Sequence, residues 1–211
     1  MILIVAFVAS TLIALLRGGH LSRLAELPLR HAWLVLAAVA LQYPLVYNLV
    51  GAGTVLGVPL AGLMMIGSYV LLLVVVYTNR RLPGMPIVAL GVLSNLLVIA
   101  LNGGWMPITP EAVARLGHTS RVADAGQVAK VWGAKDVVLT RAETRLWWLS
   151  DVFVLTAPFP VPAAFSIGDL LVAAGIFWLL QQALTGGKEQ PLPGRGATNG
   201  ALEIMRKEKQ S

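Results

Sequence analysis

Two aspartates have the residue type and setting to do chemistry. Asp151 closes the run Trp147-Trp-Leu-Ser-Asp151, and Asp169 closes Phe165-Ser-Ile-Gly-Asp169 at the mouth of an uncharged apolar stretch. They are two of only ten acidic residues in the chain, and an ionisable side chain at such a place costs free energy unless it is paired, wet or used. Two carboxyls that share a site cannot both ionise comfortably. One keeps its proton and serves as an acid while the other, as carboxylate, activates water. Such a pair is the minimum apparatus for cleaving a peptide bond without a metal or a covalent nucleophile. The competing reading is structural. Ser166 and Asp169 stand at capping-box spacing, where they would satisfy the first backbone N–H groups of a helix and complement its dipole. Asp151 would then be a solvated loop residue beside Arg145. Spacing leaves both readings open, and capping does not exclude catalysis.

The elements that must position these residues are apolar. Of 211 residues, 57% are hydrophobic and 12% charged, against about 25% charged in a soluble domain, so an integral membrane protein is expected. The chain has no cysteine, which rules out disulfides and thiolate metal sites. His20, His31 and His118 lack ligand spacing, so neither metal nor cofactor is expected. The net charge of +6 comes from bases at the ends of apolar runs. That pattern fits anionic lipid headgroups and the positive-inside rule better than nucleic acid.

Apolar runs over Met1 to Leu16, Ala32 to Val50, Leu56 to Tyr77, Met85 to Leu101 and Phe165 to Leu184 predict an all-α protein of five transmembrane helices. The loop 17–31 carries Arg17, Arg23 and Arg30, and the next basic loop carries Arg80 and Arg81, whereas Gly51-Ala-Gly-Thr54 is uncharged. This alternation puts the amino terminus outside, Asn102 outside and the carboxy terminus in the cytoplasm. Residues 102–164 become a long, partly helical extracytoplasmic loop between helices four and five. Its six Lys/Arg count against an external location, but inversion would expose both arginine-rich loops and the basic tail. Thr109-Pro110-Glu111 predicts a helix start, with a threonine cap and proline at the first position, closed by Gly117. Further short helices are expected over 120–132 and from Thr144 towards Phe153. Residues 1–184 form the membrane domain, and 185–211, with five Lys/Arg, a disordered basic tail.

Several weaker signals accompany these. Gln42, Tyr43, Tyr47 and Asn48 surround Pro44 and could line a pocket or satisfy carbonyls freed by a kink. Asn95 lies on the same helix face as Asn102 and can reach a neighbouring helix. Gly53, Gly57 and Ala61 form a small-residue stripe for helix packing, and Trp147 and Trp148 read as interfacial anchors.

At Asn102-Gly-Gly-Trp-Met-Pro107, and again at Leu149-Ser-Asp151 with Phe165-Ser-Ile-Gly-Asp169, the chain resembles an uncharacterised family of bacterial multi-pass membrane proteins. That likeness implies a bacterial plasma-membrane location and no particular activity. The segment from Asp151 through Asp169 to Gly175 is also similar to the carboxy-terminal motif of signal peptidase II, the lipoprotein signal peptidase. By that resemblance Asp151 and Asp169 match catalytic aspartates, and Asn102, Gly103 and Gly104 match a substrate-facing Asn-x-Gly. Trp105, Phe165 and Ser166 of the same motifs complete a candidate substrate-binding set. The chain departs from that family in reading as five spans rather than four and in lacking a Gly-Asn-x-x-Asp-Arg motif. The implied activity is an aspartyl membrane hydrolase acting on a membrane-anchored peptide or lipoprotein, with membrane lipids as further partners. The alternative is a non-catalytic membrane subunit or lipid-binding scaffold whose aspartates cap and solvate helix ends.

Overall fold

The structure is a computed structural model, and it describes residues 2–47, 49–51, 53–55, 57–117, 122–124, 129–131, 135–156, 159 and 162–186. The elements of the first half are α1 (Ile2–Leu16), a short 3-10 helix (Leu21–Glu26), α2 (Trp33–Val46), the strands β1 (Thr54–Val55) and β2 (Val58–Pro59), α3 (Leu60–Thr78) and α4 (Met85–Leu101). The second half holds β3 (Met106–Ile108), α5 (Pro110–Arg115), β4 (Val122–Asp124), β5 (Ala129–Val131), β6 (Asp136–Val138), a 3-10 turn (Trp147–Leu149), β7 (Phe153–Leu155), β8 (Ala163–Phe165) and α6 (Ile167–Thr185). The basic tail assigned to 185–211 falls, beyond Gly186, outside the described residues.

The long helices form because Leu, Val, Ile, Ala and Met make up most of them, and punctuation sets their ends. Pro59 precedes α3, Gly84 in a left-handed conformation precedes α4 with Pro86 in its first turn, and Gly186 closes α6. Residues at these positions either pre-set the helical φ or supply the left-handed one. α3 and α6, at 19 residues each, are long and apolar enough to cross a membrane. α1, α2 and α4 are equally apolar but shorter, at 15, 14 and 17 residues.

The five helices lie side by side in the order α2, α3, α4, α6, α1. Cross-links fix their directions. Arg30 N donates to Asn79 Oδ1 at 2.9 Å and Asn79 Nδ2 to the Arg30 carbonyl at 2.8 Å, so the start of α2 sits at the end of α3. Gln42 Nε2 donates to Ser68 Oγ further along the same pair, at 2.8 Å. Gly84 meets Gly175, and Gly91 meets Gly168, so α4 and α6 run antiparallel with backbones in near contact. A methyl group at Gly91 would stand 2.5 Å from the Gly168 carbonyl oxygen, so this approach is open to glycine alone. α1 runs parallel to α6: Gln181 Nε2 donates to the Ser10 carbonyl at 2.7 Å, and His20 N to the Leu184 carbonyl at 3.0 Å. Arg17, Arg23, Arg30, Arg80 and Arg81 therefore gather at one end, and the loop between α4 and α6 at the other. Large apolar side chains such as Ile4, Leu36 and Leu90 face outward, more than half exposed.

The fold is mostly helical rather than all-α. The helix expected over 120–132 is replaced where the chain is described by β4 and β5, which pair antiparallel. They join a four-stranded sheet of order β3, β6, β5, β4, in which β3 and β6 are parallel. The runs are short and each has a valine at one end, which sits well in a strand once a sheet exists to receive it. The helix expected from Thr144 is a single turn, because Leu146 takes a left-handed φ of 53° before it and Ser150 is extended after it. Gly53 and Gly57 are not on a helix; they flank and turn the β1–β2 hairpin, with Gly57 at φ 79°. α5 forms as expected, with Thr109 Oγ1 accepting from Ala112 N at 3.2 Å and Pro110 at its first position.

This second layer is packed onto the helices. Trp105, Met106, Val137 and Leu149 belong to the same apolar cluster as Met65, Tyr69, Val98 and Ile99 of α3 and α4. A smaller cluster of Ile108, Ala112, Val113, Leu116 and Val131 holds α5 against the sheet. The loop is thus a cap with its own core, seated on one end of the helical layer.

Candidate functional site

The start of α6 is a complete capping box. Ser166 Oγ accepts from Asp169 N at 3.0 Å, and Asp169 Oδ2 accepts from Ser166 N at 3.1 Å. Both partners then reach a third residue, Asn95 of α4. Asn95 Nδ2 donates to Asp169 Oδ1 at 2.9 Å, and Ser166 Oγ donates to Asn95 Oδ1, also at 2.9 Å. The interhelical reach expected of Asn95 is therefore made. It is possible because Gly168 has no side chain, since a Cβ there would collide with the Asn95 amide.

Asp151 is not a solvated loop residue; it is 2% exposed. Its backbone bridges Ile108 along β3, with Asp151 N donating to the Pro107 carbonyl at 3.2 Å. Its Oδ1 has no hydrogen-bond partner. Burial is the main cause that pushes its carboxyl well above the usual carboxylate range. Asp136 raises it further by its charge and by a side-chain hydrogen bond, Asp169 raises it by charge, and Lys135 opposes them. An acid in this setting favours its protonated form.

Asp136 was not singled out by sequence. It is the first residue of β6, paired with Met106, while Asp151 bridges the opposite edge of the same strand. β3 thus carries one carboxyl on each side. Lys135, just before β6 and half-buried, donates from Nζ to the Tyr69 hydroxyl of α3 at 3.1 Å. Burial disfavours its charge, but Tyr69, Asp169, Asp151 and Asp136 together outweigh that and hold the ammonium well above the usual lysine range. Asp136, Asp151 and Asp169 thus all influence Lys135 by charge, and Lys135 is tied to α3 through Tyr69 at the seam between the cap and the helices.

The other candidates are near the seam with different occupations. Asn102 Nδ2 donates to the Val98 carbonyl at 2.7 Å and to the Arg145 carbonyl at 2.9 Å, and its Oδ1 accepts from Arg145 N at 2.9 Å. It closes α4 and ties down the cap. Gly103 and Gly104 have φ of 71° and 89° and turn tightly against Gly62 of α3. Trp105 is buried in the shared core, and Phe165 is stacked on Phe153 with centroids 5.4 Å apart. Trp147 and Trp148 are about half exposed, and the Arg141 guanidinium lies 4.9 Å from the centre of the Trp147 ring. Around Pro44, Gln42 is bonded to Ser68, Tyr43 and Tyr47 pack against each other, and Asn48 lies outside the described residues.

Sequence reasoning missed Asp136 and Lys135 because a Lys-Asp pair in a loop is ordinary. Only the parallel pairing of β6 with β3 sets it across that strand from Asp151. Among the described residues no cluster of His, Cys, Asp and Glu has the makings of a metal site.

No curated protein and no solved structure matches the chain. The model of a family of unknown function, DUF5317, matches residues 26–181, from the last residue of the first 3-10 helix into the final turns of α6 and so across the whole acid cluster. The chain belongs to this family.

Proposed function

We propose that the chain is a multi-pass protein of the bacterial plasma membrane and that its acid cluster hydrolyses a peptide bond in a membrane-anchored substrate. In this reading all five long helices span the bilayer, with the cap and the amino terminus outside. The arginine-bearing end faces the cytoplasm, as the positive-inside rule requires. Support comes from the outward-facing apolar side chains, the alternating helix directions and the gathering of arginines at one end. The shorter helices would need local thinning of the bilayer, at a modest cost per ångström.

The observation that carries the hydrolase reading is Asp151, buried to 2% exposure with one carboxyl oxygen lacking a partner. A buried carboxyl that keeps its proton and has a free oxygen is what an acid catalyst requires. Asp169 serves as the carboxylate. It takes a proton from water as the water oxygen bonds to the scissile carbonyl carbon, and Asp151 gives its proton to the carbonyl oxygen. Collapse breaks the C–N bond, the proton held by Asp169 leaves with the amine, and a hydroxyl of the diol returns its proton to Asp151 as the new carboxylic acid forms. On this reading the half-exposed Trp147 and Trp148 would meet an extended, lipid-tethered peptide, and Asn102, bonded to the backbone of Arg145, would hold that edge of the cap in shape.

A second reading is favoured by the bonding of Asp169, both of whose oxygens accept within the cap and from Asn95. On it the cluster is a structural clasp between cap and helices, and the protein is a membrane subunit or lipid-binding scaffold. The deciding experiment compares membrane and secreted peptides from cells carrying wild type, Asp151→Asn or Asp169→Asn. Accumulated precursor in both variants at normal protein level supports hydrolysis. Identical peptide patterns in all three leave the scaffold.

A further inference from the structure

Arg17 and Arg23 both reach the last turn of α6, at the end of the helical layer away from the cap. Arg17 Nη1 donates to Gln181 Oε1 at 2.9 Å, and Arg23 Nη1 to the Leu184 carbonyl at 3.3 Å. We propose that this pair of guanidiniums binds the phosphate of an anionic phospholipid in the cytoplasmic leaflet. The proposal rests on the membrane reading given above and is independent of the hydrolase reading.

The junction of α1 with α6 builds the site. Gln181 is buried, and its Nε2 donates to the Ser10 carbonyl at 2.7 Å and to Ser10 Oγ at 3.1 Å, which turns its Oε1 towards Arg17. Gly18, at φ 83°, and Gly19 then fold the chain back onto α6. A Cβ at Gly19 would stand 2.7 Å from the Ala14 carbonyl oxygen and 3.0 Å from that of Leu184. His20 N donates to the Leu184 carbonyl at 3.0 Å, so one carbonyl receives both His20 and Arg23. Gly186 leaves room for the Arg23 guanidinium, with which any Cβ there would collide. Each guanidinium thus uses one donor on α6, and among the described residues neither meets a carboxylate. The planar fork that remains on each matches a pair of phosphate oxygens.

Charge and polarity identify the ligand. α1 and α6 run parallel, so both carboxy-terminal ends point into this site, each with about half a negative charge from its helix dipole. Two guanidiniums outweigh them and leave about one positive charge, which suits a singly charged phosphodiester better than a doubly charged free phosphate. Glu26 and Arg30, further along the same loop, offset each other. Leu12 and Leu16, one turn apart on α1, and Trp178, a turn before Gln181 on α6, are exposed apolar side chains on the two helices that carry the site. They offer acyl chains a surface to lie on, which a water-soluble phosphate would not use.

The test is native mass spectrometry of the purified full chain, released from detergent with dioleoyl phosphatidylglycerol or dioleoyl phosphatidylcholine present. Wild type should retain phosphatidylglycerol in preference to phosphatidylcholine. Arg17→Gln with Arg23→Gln should weaken that retention about tenfold or more, since two charge-assisted phosphate contacts are lost. Arg80→Gln with Arg81→Gln removes the same charge from the same end of the helices but leaves the site intact, so it should retain the lipid as wild type does. Equal losses in the two double variants would reduce the preference to general attraction and overturn the site, as would unchanged retention in the first. Arg17→Lys with Arg23→Lys keeps both charges and should still lose most of the preference, because an ammonium lacks the fork; it carries the test if the glutamine variant does not fold. Millimolar glycerol phosphate should not displace the lipid, and full displacement would overturn the proposal in favour of a soluble phosphate. Carbonate extraction checks the membrane reading separately. A chain released from membranes ends that reading and the proposal together, whereas one that stays embedded and shows no lipid preference loses the proposal alone.

Discussion

Asn95 of α4 and Asp169 of α6, 74 positions apart, meet at 2.9 Å through Nδ2 and Oδ1, and the same amide accepts from the buried Ser166 hydroxyl. One side chain thereby welds the start of α6 to the middle of the helical layer. Asn95→Ala strands the Ser166 hydroxyl in a dry site, and a buried group left without its partner costs about 1–3 kcal/mol. Thermal unfolding of the variant in detergent should show a clear drop in Tm; an unaltered transition would mean the bond carries no stability.

Glycine at 168 is required by that same contact. Gly168→Ala places a methyl group against the Asn95 amide and the Gly91 carbonyl, so folded protein should be largely lost. Gly67→Ala is the control. It lies inside α3 with open space where a Cβ would stand, and replacing a mid-helix glycine by alanine gains about 0.5–1 kcal/mol in water. Equal yields of the two variants in a fluorescence size-exclusion assay would contradict the close approach of α4 and α6.

Stability should depend on pH through Asp151. Its folded pKa is raised, so the native state binds the proton more tightly than the unfolded chain does. The stabilisation is fully present below the unfolded value, about 3.9 for aspartate, and is lost as pH rises through the folded one. Wild type should therefore lose Tm on going from mildly acid to alkaline buffer. Asp151→Asn, which mimics the protonated form, should flatten that dependence, and an undiminished slope would assign it to another group.

The orientation can be read chemically because the native chain has no cysteine to confuse the signal. Glu111→Cys on α5 should react with a membrane-impermeant maleimide in intact cells, and Arg81→Cys only after permeabilisation. The reverse pattern would place the cap in the cytoplasm and end the proposed topology.

Asn102 offers a test of how the cap is held. Its side chain makes three bonds, to the end of α4 and to the backbone of Arg145. Asn102→Ala should raise hydrogen exchange around Arg145 before the helices loosen, at a cost of about 1–2 kcal/mol. Exchange that rises evenly over the whole chain would show that the clasp is not local.

What the sequence determined by itself follows from composition and short-range chemistry. Unbroken apolar runs between glycine, proline and arginine mark all five long helices, and Thr109-Pro110-Glu111 and Ser166 to Asp169 mark two helix starts, because a cap needs only residues a turn apart. The family, too, is legible in the sequence, since its model matches residues 26–181. What only tertiary structure decided is everything that depends on pairing at a distance. The strands β4 to β6 have too few residues to announce themselves against helix-like composition, and they exist because β3, laid down some thirty residues earlier, offers an edge. That pairing sets Asp136 and Lys135 across β3 from Asp151, which lies buried on its other edge. The charge state of an acid is set by burial and neighbours, and both are properties of the folded seam between cap and helices, not of the residues that spell it.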